Sequence, residues 1–420
     1  MSHFKFRCTE CGALYQESKT RLTCDTCATA QLPGGVVRGV LEVVLDVLPG
    51  AWPMAPPASP EFLRAFLPLP RIEFLPPIPV GGTPLLPVPR LRRALGMNHL
   101  WVKDDTRNPS GSTKDRASLL VVAKAQEYGC ETIATASTGN AATALAAIAA
   151  AAGVRAVVFV PAKAPMAKLV QMQSYGAVVL PIEGTYDQAF ELCLEACREF
   201  GWYNRNTALN PFTIEGKKTV ALEIAVALAP GEPDAVLVPT GDGVILSGVA
   251  KGFADLKRCG LLKRTPRLIA VQPEGSSAIV NALRSGAEAI TPLPGAASVA
   301  DSLTVETPRN ALQCLRAVRS SEGTGVAVSD SSILEAIGTL AHLTGVFAEP
   351  AGAAALAGLL AALEQHLVGR DECVVLLVTG SGLKDIAAAS RAVKSLAPIP
   401  LNLDAVAEHL RNSPAKIVRV

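Results

Sequence analysis

The sequence predicts an α/β protein built on two parallel sheets, each covered by helices on both faces, and three observations carry that prediction. From about residue 100 onward, short apolar segments alternate with segments of helical period. The short segments are continuous apolar runs, the pattern of strands buried on both sides. Three of them end in polar turns that carry glycine, where open parallel sheets bind ligands. The predicted strands are Thr132 to Ala136, Val154 to Val160, Val178 to Pro181, Ala235 to Val238, Leu268 to Val271 and Val374 to Val378. The predicted helices are Asp115 to Tyr128, Asn140 to Ala152, Met166 to Tyr175, Tyr186 to Phe200, Glu215 to Leu228 and Gly243 to Lys257.

Composition bounds the function. A chain of 420 residues, 49% hydrophobic and 18% charged, buries a large core and divides into two or three domains. Its 39 Lys and Arg nearly balance 37 Asp and Glu, which gives no electrostatic case for nucleic acid or an anionic membrane surface. The expected partner is a small molecule. Residues 1 to 7 lead into a cysteine cluster without an apolar signal segment, so a cytoplasmic location is expected. The alanine-rich runs at 141–153 and 351–363 fall short of the roughly 20 residues of a membrane span and read as buried helices.

Taken in order, residues 1–40 read as a zinc ribbon. Cys8 and Cys11, then Cys24 and Cys27, form two Cys-x-x-Cys pairs, each able to turn two thiolates toward one tetrahedral ion. Four thiolates leave no open position, so the zinc is structural. Residues 41–97 are crowded with prolines and are expected to wrap over the body as extended chain, neither regular helix nor central strand.

The stretch from Lys103 to Arg116 passes through an Asn-Pro and Ser-Gly turn and opens a helix at Lys114. The positive end of a helix dipole disfavours an ammonium there, and Ser112 or Thr113 suits the cap. An amine held against the local field is driven toward its neutral form, the form carbonyl chemistry requires.

The three polar turns are Ser137-Thr138-Gly139-Asn140, Pro239-Thr240-Gly241-Asp242-Gly243 and Thr379-Gly380-Ser381-Gly382. The second runs straight into a helix through Val244 and Ile245, where converging amides and the helix dipole suit a phosphate. It is neither a complete dinucleotide fingerprint nor a Walker A loop. The first offers hydroxyls, amides and one side-chain amide at a helix start, suited to a carboxylate or the edge of a polar ring. No Gly-x-Ser-x-Gly elbow is present, and the five histidines show no metal or triad spacing, so hydrolase chemistry is poorly served.

Six ordered motifs together resemble the threonine synthases and, more broadly, the pyridoxal-phosphate enzymes of the tryptophan synthase β fold, fold type II. They are the Lys103 to Arg116 stretch, Ala136-Ser137-Thr138-Gly139-Asn140, Asn210-Pro211 through Glu215-Gly216-Lys217-Lys218-Thr219, the Gly241 turn, Glu349-Pro350-Ala351, and Val378-Thr379-Gly380-Ser381-Gly382-Leu383-Lys384-Asp385. The resemblance implies a large domain of residues 98–117 and 225–420, a small domain of 118–224, and a homodimer. It implies that Lys114 carries pyridoxal 5'-phosphate and acts as base at Cα and Cβ. By the same resemblance Gly241, Asp242, Gly243, Val244 and Ile245 cradle the cofactor phosphate, Asn140 binds its 3-oxygen, and Thr379 faces its ring nitrogen. Ser137, Thr138 and Gly139 would hold the substrate carboxylate.

The implied reaction converts O-phosphohomoserine and water to threonine and phosphate. The alternative within the fold is another β-replacement or β-elimination enzyme, such as a cysteate synthase or a serine/threonine dehydratase. Two positions depart from the pattern: Thr213 stands where many threonine synthases carry an arginine, and Ala141 where a threonine is common. Lys168, Arg205, Lys217 or Lys218 then has to supply the missing cation for a phosphorylated substrate.

Overall fold

The computed structural model describes residues 3–137, 139–162, 166–393 and 397–412. An N-terminal antiparallel sheet joins β1 (Phe4–Cys8), β2 (Leu14–Tyr15) and β3 (Leu41–Leu45) in the order β2-β1-β3. Every second residue of β1 and β3 is buried, among them Phe4, Phe6, Leu41 and Val43, and these pack with Phe212 and the apolar side chains of 119–123. The cysteine-bearing segment is thereby anchored to the body through its own apolar face.

The proline-rich segment departs from its expected extended form. It contains two short helices, α1 (Pro60–Phe66) and α2 (Pro89–Leu95), each with proline as its first helical residue. That is the position where a missing N–H and a fixed φ favour a helix. Ser59 caps α1 by accepting a hydrogen bond from the Phe62 amide at 3.2 Å. The same segment supplies β4 (Leu85–Leu86), which pairs antiparallel with β5 (His99–Asp104) and closes one edge of the large sheet.

After α3 (Lys114–Glu127) the chain builds a smaller, wholly parallel sheet from β6 (Thr132–Ala136), β7 (Arg155–Pro161), β8 (Val178–Ile182) and β9 (Tyr203–Asn204), ordered β8-β7-β6-β9. Its crossovers are α4 (Asn140–Ala152), α5 (Met166–Ser174) and α6 (Tyr186–Phe200). Two helices, α7 (Pro211–Lys217) and α8 (Thr219–Leu228), lead out of it.

The large sheet has six strands in the order β12-β11-β10-β13-β5-β4. Its later strands are β10 (Ala235–Pro239), β11 (Arg267–Pro273), β12 (Thr324–Val328) and β13 (Cys373–Val378), parallel to one another and to β5. The α-helices between β10 and β13 are α9 (Val244–Arg258), α10 (Ala278–Ser285), α11 (Ala311–Ser320), α12 (Asp330–Thr344) and α13 (Pro350–Glu364). Alternate strand residues serve opposite cores: Leu237, Val374 and Leu376 pack with α12 and α13, whereas Val236, Val238, Val375 and Leu377 pack with α8, α9 and α11. This two-sided burial is why these strands read as unbroken apolar runs. Small residues let α13 lie flush on the sheet, since a Cβ on Gly358 would stand 2.4 Å from Val271 Cγ2. Thus the fold is the α/β fold type II architecture with two parallel-sheet domains, modified by an antiparallel edge strand.

Candidate active site

Strand β5 delivers the chain to the turn that ends at Lys114. Three backbone contacts fix that turn against the segment leaving β13. The Thr113 amide donates to the Thr379 carbonyl at 2.9 Å, the Ser381 amide donates to the Gly111 carbonyl at 2.9 Å, and Ser112 and Gly380 form an isolated antiparallel bridge. Neither Ser112 nor Thr113 caps α3 through its side chain, contrary to the expectation from sequence. Both hydroxyls are buried and, among the described residues, have no hydrogen-bond partner.

Lys114 opens α3 and lines a cavity of about 470 Å³ that also reaches Ser137, Gly139, Asn140, Arg205 and Asp242. Among the described residues no hydrogen bond or ion pair holds its amine. Burial is the main cause that pulls the amine below the ordinary lysine value of 10.5; Arg205 adds to the effect, and the carboxylates of Asp242 and Glu349 oppose it. The lowered pKa expected from the sequence is present, and desolvation is its largest cause.

Asn140 begins α4 and is buried. Its Nδ2 donates to Glu349 Oε1 at 2.7 Å, and its Oδ1 is buried without a partner. Burial raises the Glu349 pKa, an effect that Lys168, Lys384 and Asn140 counter. Glu349 entered the sequence reading only as part of a motif; the structure makes it the residue that holds Asn140. Ser137 Oγ accepts from the Gly139 amide at 3.2 Å, and Thr138 lies outside the described residues.

The turn after β10 forms a cradle. Gly243 has φ +89, and a Cβ there would stand 2.7 Å from Cys314 Cβ; one on Gly241 would stand 3.1 Å from the Ser302 carbonyl oxygen. Val244 and Ile245 follow as the buried first residues of α9, whose opening amides are free of intrahelical partners. Thr379 is buried directly after β13. Of the predicted residues, the structure brings Lys114, Ser137, Gly139, Asn140 and Asp242 to one cavity, with Gly241 and Gly243 flanking Asp242 in the chain and the Thr379 carbonyl held by the Thr113 amide beside Lys114. A neutral-prone amine, an amide oxygen and two hydroxyls without partners, and a donor-rich helix start fit a phosphorylated aromatic aldehyde.

Residues 78–380 match the family model described as "Pyridoxal-phosphate dependent enzyme". The threonine synthase of Methanosarcina acetivorans is 36% identical over 409 residues, covering 96% of this chain and 98% of that protein. The threonine synthase of Methanocaldococcus jannaschii is 36% identical over 409 residues, covering 95% and 96%. The chain belongs to the threonine synthase family of pyridoxal-phosphate dependent enzymes. The relationship extends to the threonine synthase of Mycobacterium tuberculosis, 34% identical over 331 residues and covering 79% of this chain and 89% of that one. Threonine deaminase isoform 2 of Solanum lycopersicum (TM-score 0.64, 23% identity, covering 74% of this chain and 87% of that chain) and maize serine racemase (0.64, 24%, 79% and 93%) share its fold.

Within this threonine synthase fold, Thr213 is fully buried and donates its hydroxyl to the Asn210 carbonyl at 2.8 Å. It is committed to the first turn of α7 and offers nothing to an anion. The N-terminal cysteines also converge. Their four sulfurs lie within 4.8 Å of one another, with Cys8 to Cys27 at 3.8 Å and Cys11 to Cys24 at 3.7 Å. Tetrahedral zinc with bonds of about 2.3 Å sets its sulfurs about 3.8 Å apart. The amides of Glu10 and Cys27 point at the Cys8 and Cys24 sulfurs, a donor set suited to thiolates.

Proposed function

We infer that the chain acts as a threonine synthase, converting O-phosphohomoserine and water to threonine and inorganic phosphate. The observation that carries the site assignment is Lys114: a half-buried amine with no hydrogen bond or ion pair among the described residues, lining a cavity with Asn140 and with Asp242 of the glycine turn. Pyridoxal 5'-phosphate, when bound, supplies a conjugated ring that withdraws electrons from the substrate's Cα.

Lys114 would hold the cofactor, and its amine, free while substrate is bound, would move protons at Cα and Cβ. The Cγ–O bond breaks and phosphate departs with a proton, Cγ gains one and Cα regains one, and water adds its hydroxyl at Cβ, so that the two protons taken from carbon and the one from water are all returned. Ser137, Thr138 and Gly139 hold the substrate carboxylate. Asn140, fixed by Glu349, orients the ring through its 3-oxygen, and the amides of Gly241, Asp242, Gly243, Val244 and Ile245 hold the cofactor phosphate. The hydroxyl of Thr379 serves the ring nitrogen without forcing its protonation, which suits elimination and replacement over transamination.

Zinc bound by Cys8, Cys11, Cys24 and Cys27 holds the N-terminal segment in shape. A homodimer is what the family resemblance implies, and the exposed Leu383, Ile386 and Phe347 are apolar side chains that a second copy of the chain would cover. No described helix is long and apolar enough to cross a membrane, in keeping with a cytoplasmic enzyme.

The test is to incubate the purified protein with O-phosphohomoserine and measure phosphate and threonine. Equal amounts of both, absent in Lys114→Ala, support the assignment. Release of 2-oxobutanoate from threonine without phosphate release from O-phosphohomoserine refutes it in favour of a dehydratase.

A further inference from the structure

The side chains of Arg205 and Lys217 are buried and basic, and among the described residues no carboxylate pairs with either. Arg205 follows β9, lines the cavity with Lys114, and is fully buried. Its Nε and Nη2 reach only the Ser118 hydroxyl, at 3.4 Å, and Nη1 has no partner. Lys217 ends α7 and is 1% exposed, and its Nζ also has no partner. Burial first, and then the charges of Lys114 and Arg205, drive the Lys217 amine well below its usual pKa, so the three basic groups lie within electrostatic reach of one another and an arriving anion favours the protonated form of Lys217. Asp242 is the carboxylate that acts on both Lys114 and Lys217.

The other basic residues that stand near the site are already satisfied. Lys168 pairs with Asp301 at 2.8 Å. Lys218 is held by Glu215 and by Asp255, the latter at 2.8 Å. Arg309 pairs with Asp187. A buried, unpaired charge is strongly destabilising, and a protein keeps one where a ligand supplies the counter-charge. The hydroxyls of Tyr186 and Thr207, which line the cavity beside Arg205, add donors. Close packing supports Lys217 as well, because a Cβ on Gly248 of α9 would stand 2.7 Å from the Lys217 Cβ.

We propose that Arg205 and Lys217 form a phosphate subsite that takes the phosphoryl group of the substrate and then the inorganic phosphate released from it, separate from the cradle for the cofactor's own phosphate. The subsite does the work that an arginine at position 213 would do, approached from β9 and the end of α7. It rests on reading the chain as acting on a phosphorylated amino acid.

The experiment measures binding, so it stands apart from turnover. Inorganic phosphate and L-threonine are titrated separately into the cofactor-loaded protein by calorimetry, and pyridoxal phosphate into the apoprotein, for the wild type, Arg205→Gln, Lys217→Gln and Arg205→Lys. Expected is a roughly tenfold to hundredfold loss of phosphate affinity in the two Gln variants. Threonine and cofactor affinities stay within about twofold, and Arg205→Lys keeps part of the phosphate affinity. The melting temperature without phosphate holds or rises in Arg205→Gln, because an unpaired buried charge has been removed. Unchanged phosphate affinity with weakened cofactor binding assigns the two cations to the cradle and overturns the proposal. Equal weakening for threonine assigns them to the carboxylate and overturns it too, as does a drop in melting temperature with loss of all three ligands. A protein that binds phosphate through Arg205 yet makes no threonine would keep the subsite and sink the activity.

Discussion

Replacing Gly380 by alanine tests the link between Glu349 and Asn140. Gly380 is not in the left-handed region, so the substitution adds no backbone strain of that kind. The three atoms nearest its new Cβ all belong to Glu349: Oε1 at 2.2 Å, Cδ at 2.7 Å and Cγ at 3.3 Å. To reach ordinary contact the carboxyl has to retreat by roughly 1 Å, which forces repacking and breaks its 2.7 Å bond to Asn140 Nδ2. Overpacking costs about 1–3 kcal/mol and loss of a bond to a charged group about 1.5–3 kcal/mol; because moving the carboxyl relieves the first as it incurs the second, the total is roughly 3 kcal/mol. In a Glu349→Ala background the obstruction is gone, and Gly380→Ala should cost less than about 1 kcal/mol. Urea unfolding of the four proteins of this cycle, with cofactor absorbance recorded alongside, gives a coupling of about 2 kcal/mol. If Gly380→Ala costs the same with and without Glu349, the carboxyl is not what fills that space and its hold on Asn140 is not the reason for the glycine.

Two further outcomes follow from titration and from metal chemistry. Burial raises the Asp115 pKa from 3.8 to about 6, so the stability it contributes is fully present below 3.8 and is lost as pH rises through about 6. Asp115→Asn removes this titration, so its stability relative to the wild type should improve between pH 4 and pH 7; parallel unfolding curves across that window would contradict the account. Cys24→Ser should lower bound zinc from about one ion per chain to nearly none and melt the N-terminal sheet early, while cofactor absorbance at low temperature persists. Metal retained in full by the variant would place the ion elsewhere.

Much of this arrangement was legible in the residue order, for physical reasons. Two-sided burial leaves unbroken apolar strands, and Lys114, Asn140 and the Gly241 turn each sit at a strand-to-helix junction, where parallel sheets present their ligand sites. Other features depend on partners distant in sequence. The short strands Leu85–Leu86 and Tyr203–Asn204 exist only because a neighbour's edge receives them. The helices begun by Pro60 and Pro89 were hidden by a local rule against proline that does not apply at a first turn. Ser112 and Thr113 looked like caps because of their chemistry, but the backbone of Thr113 is already helical and its hydroxyl points elsewhere. Glu349 gave no signal of its own, since only the fold sets it 2.7 Å from an amide two hundred residues earlier. Whether the four candidate cations were free or paired could be settled only by seeing which carboxylates reach them.

The position of β13 in the large sheet governs the order of assembly. It is the last strand among the described residues, yet it lies between β10 and β5, hydrogen-bonded to both. Until residues 373–378 emerge from the ribosome, the two strands beside it have unsatisfied edges, and the segment carrying Lys114 lacks the carbonyl of Thr379 that fixes it. The site therefore cannot be half built: its lysine is placed only when the last strand closes the sheet. Capture of the cofactor, with its visible colour, is then a clock for the end of folding, and a chain cut before residue 373 would expose two unpaired edges and form no site.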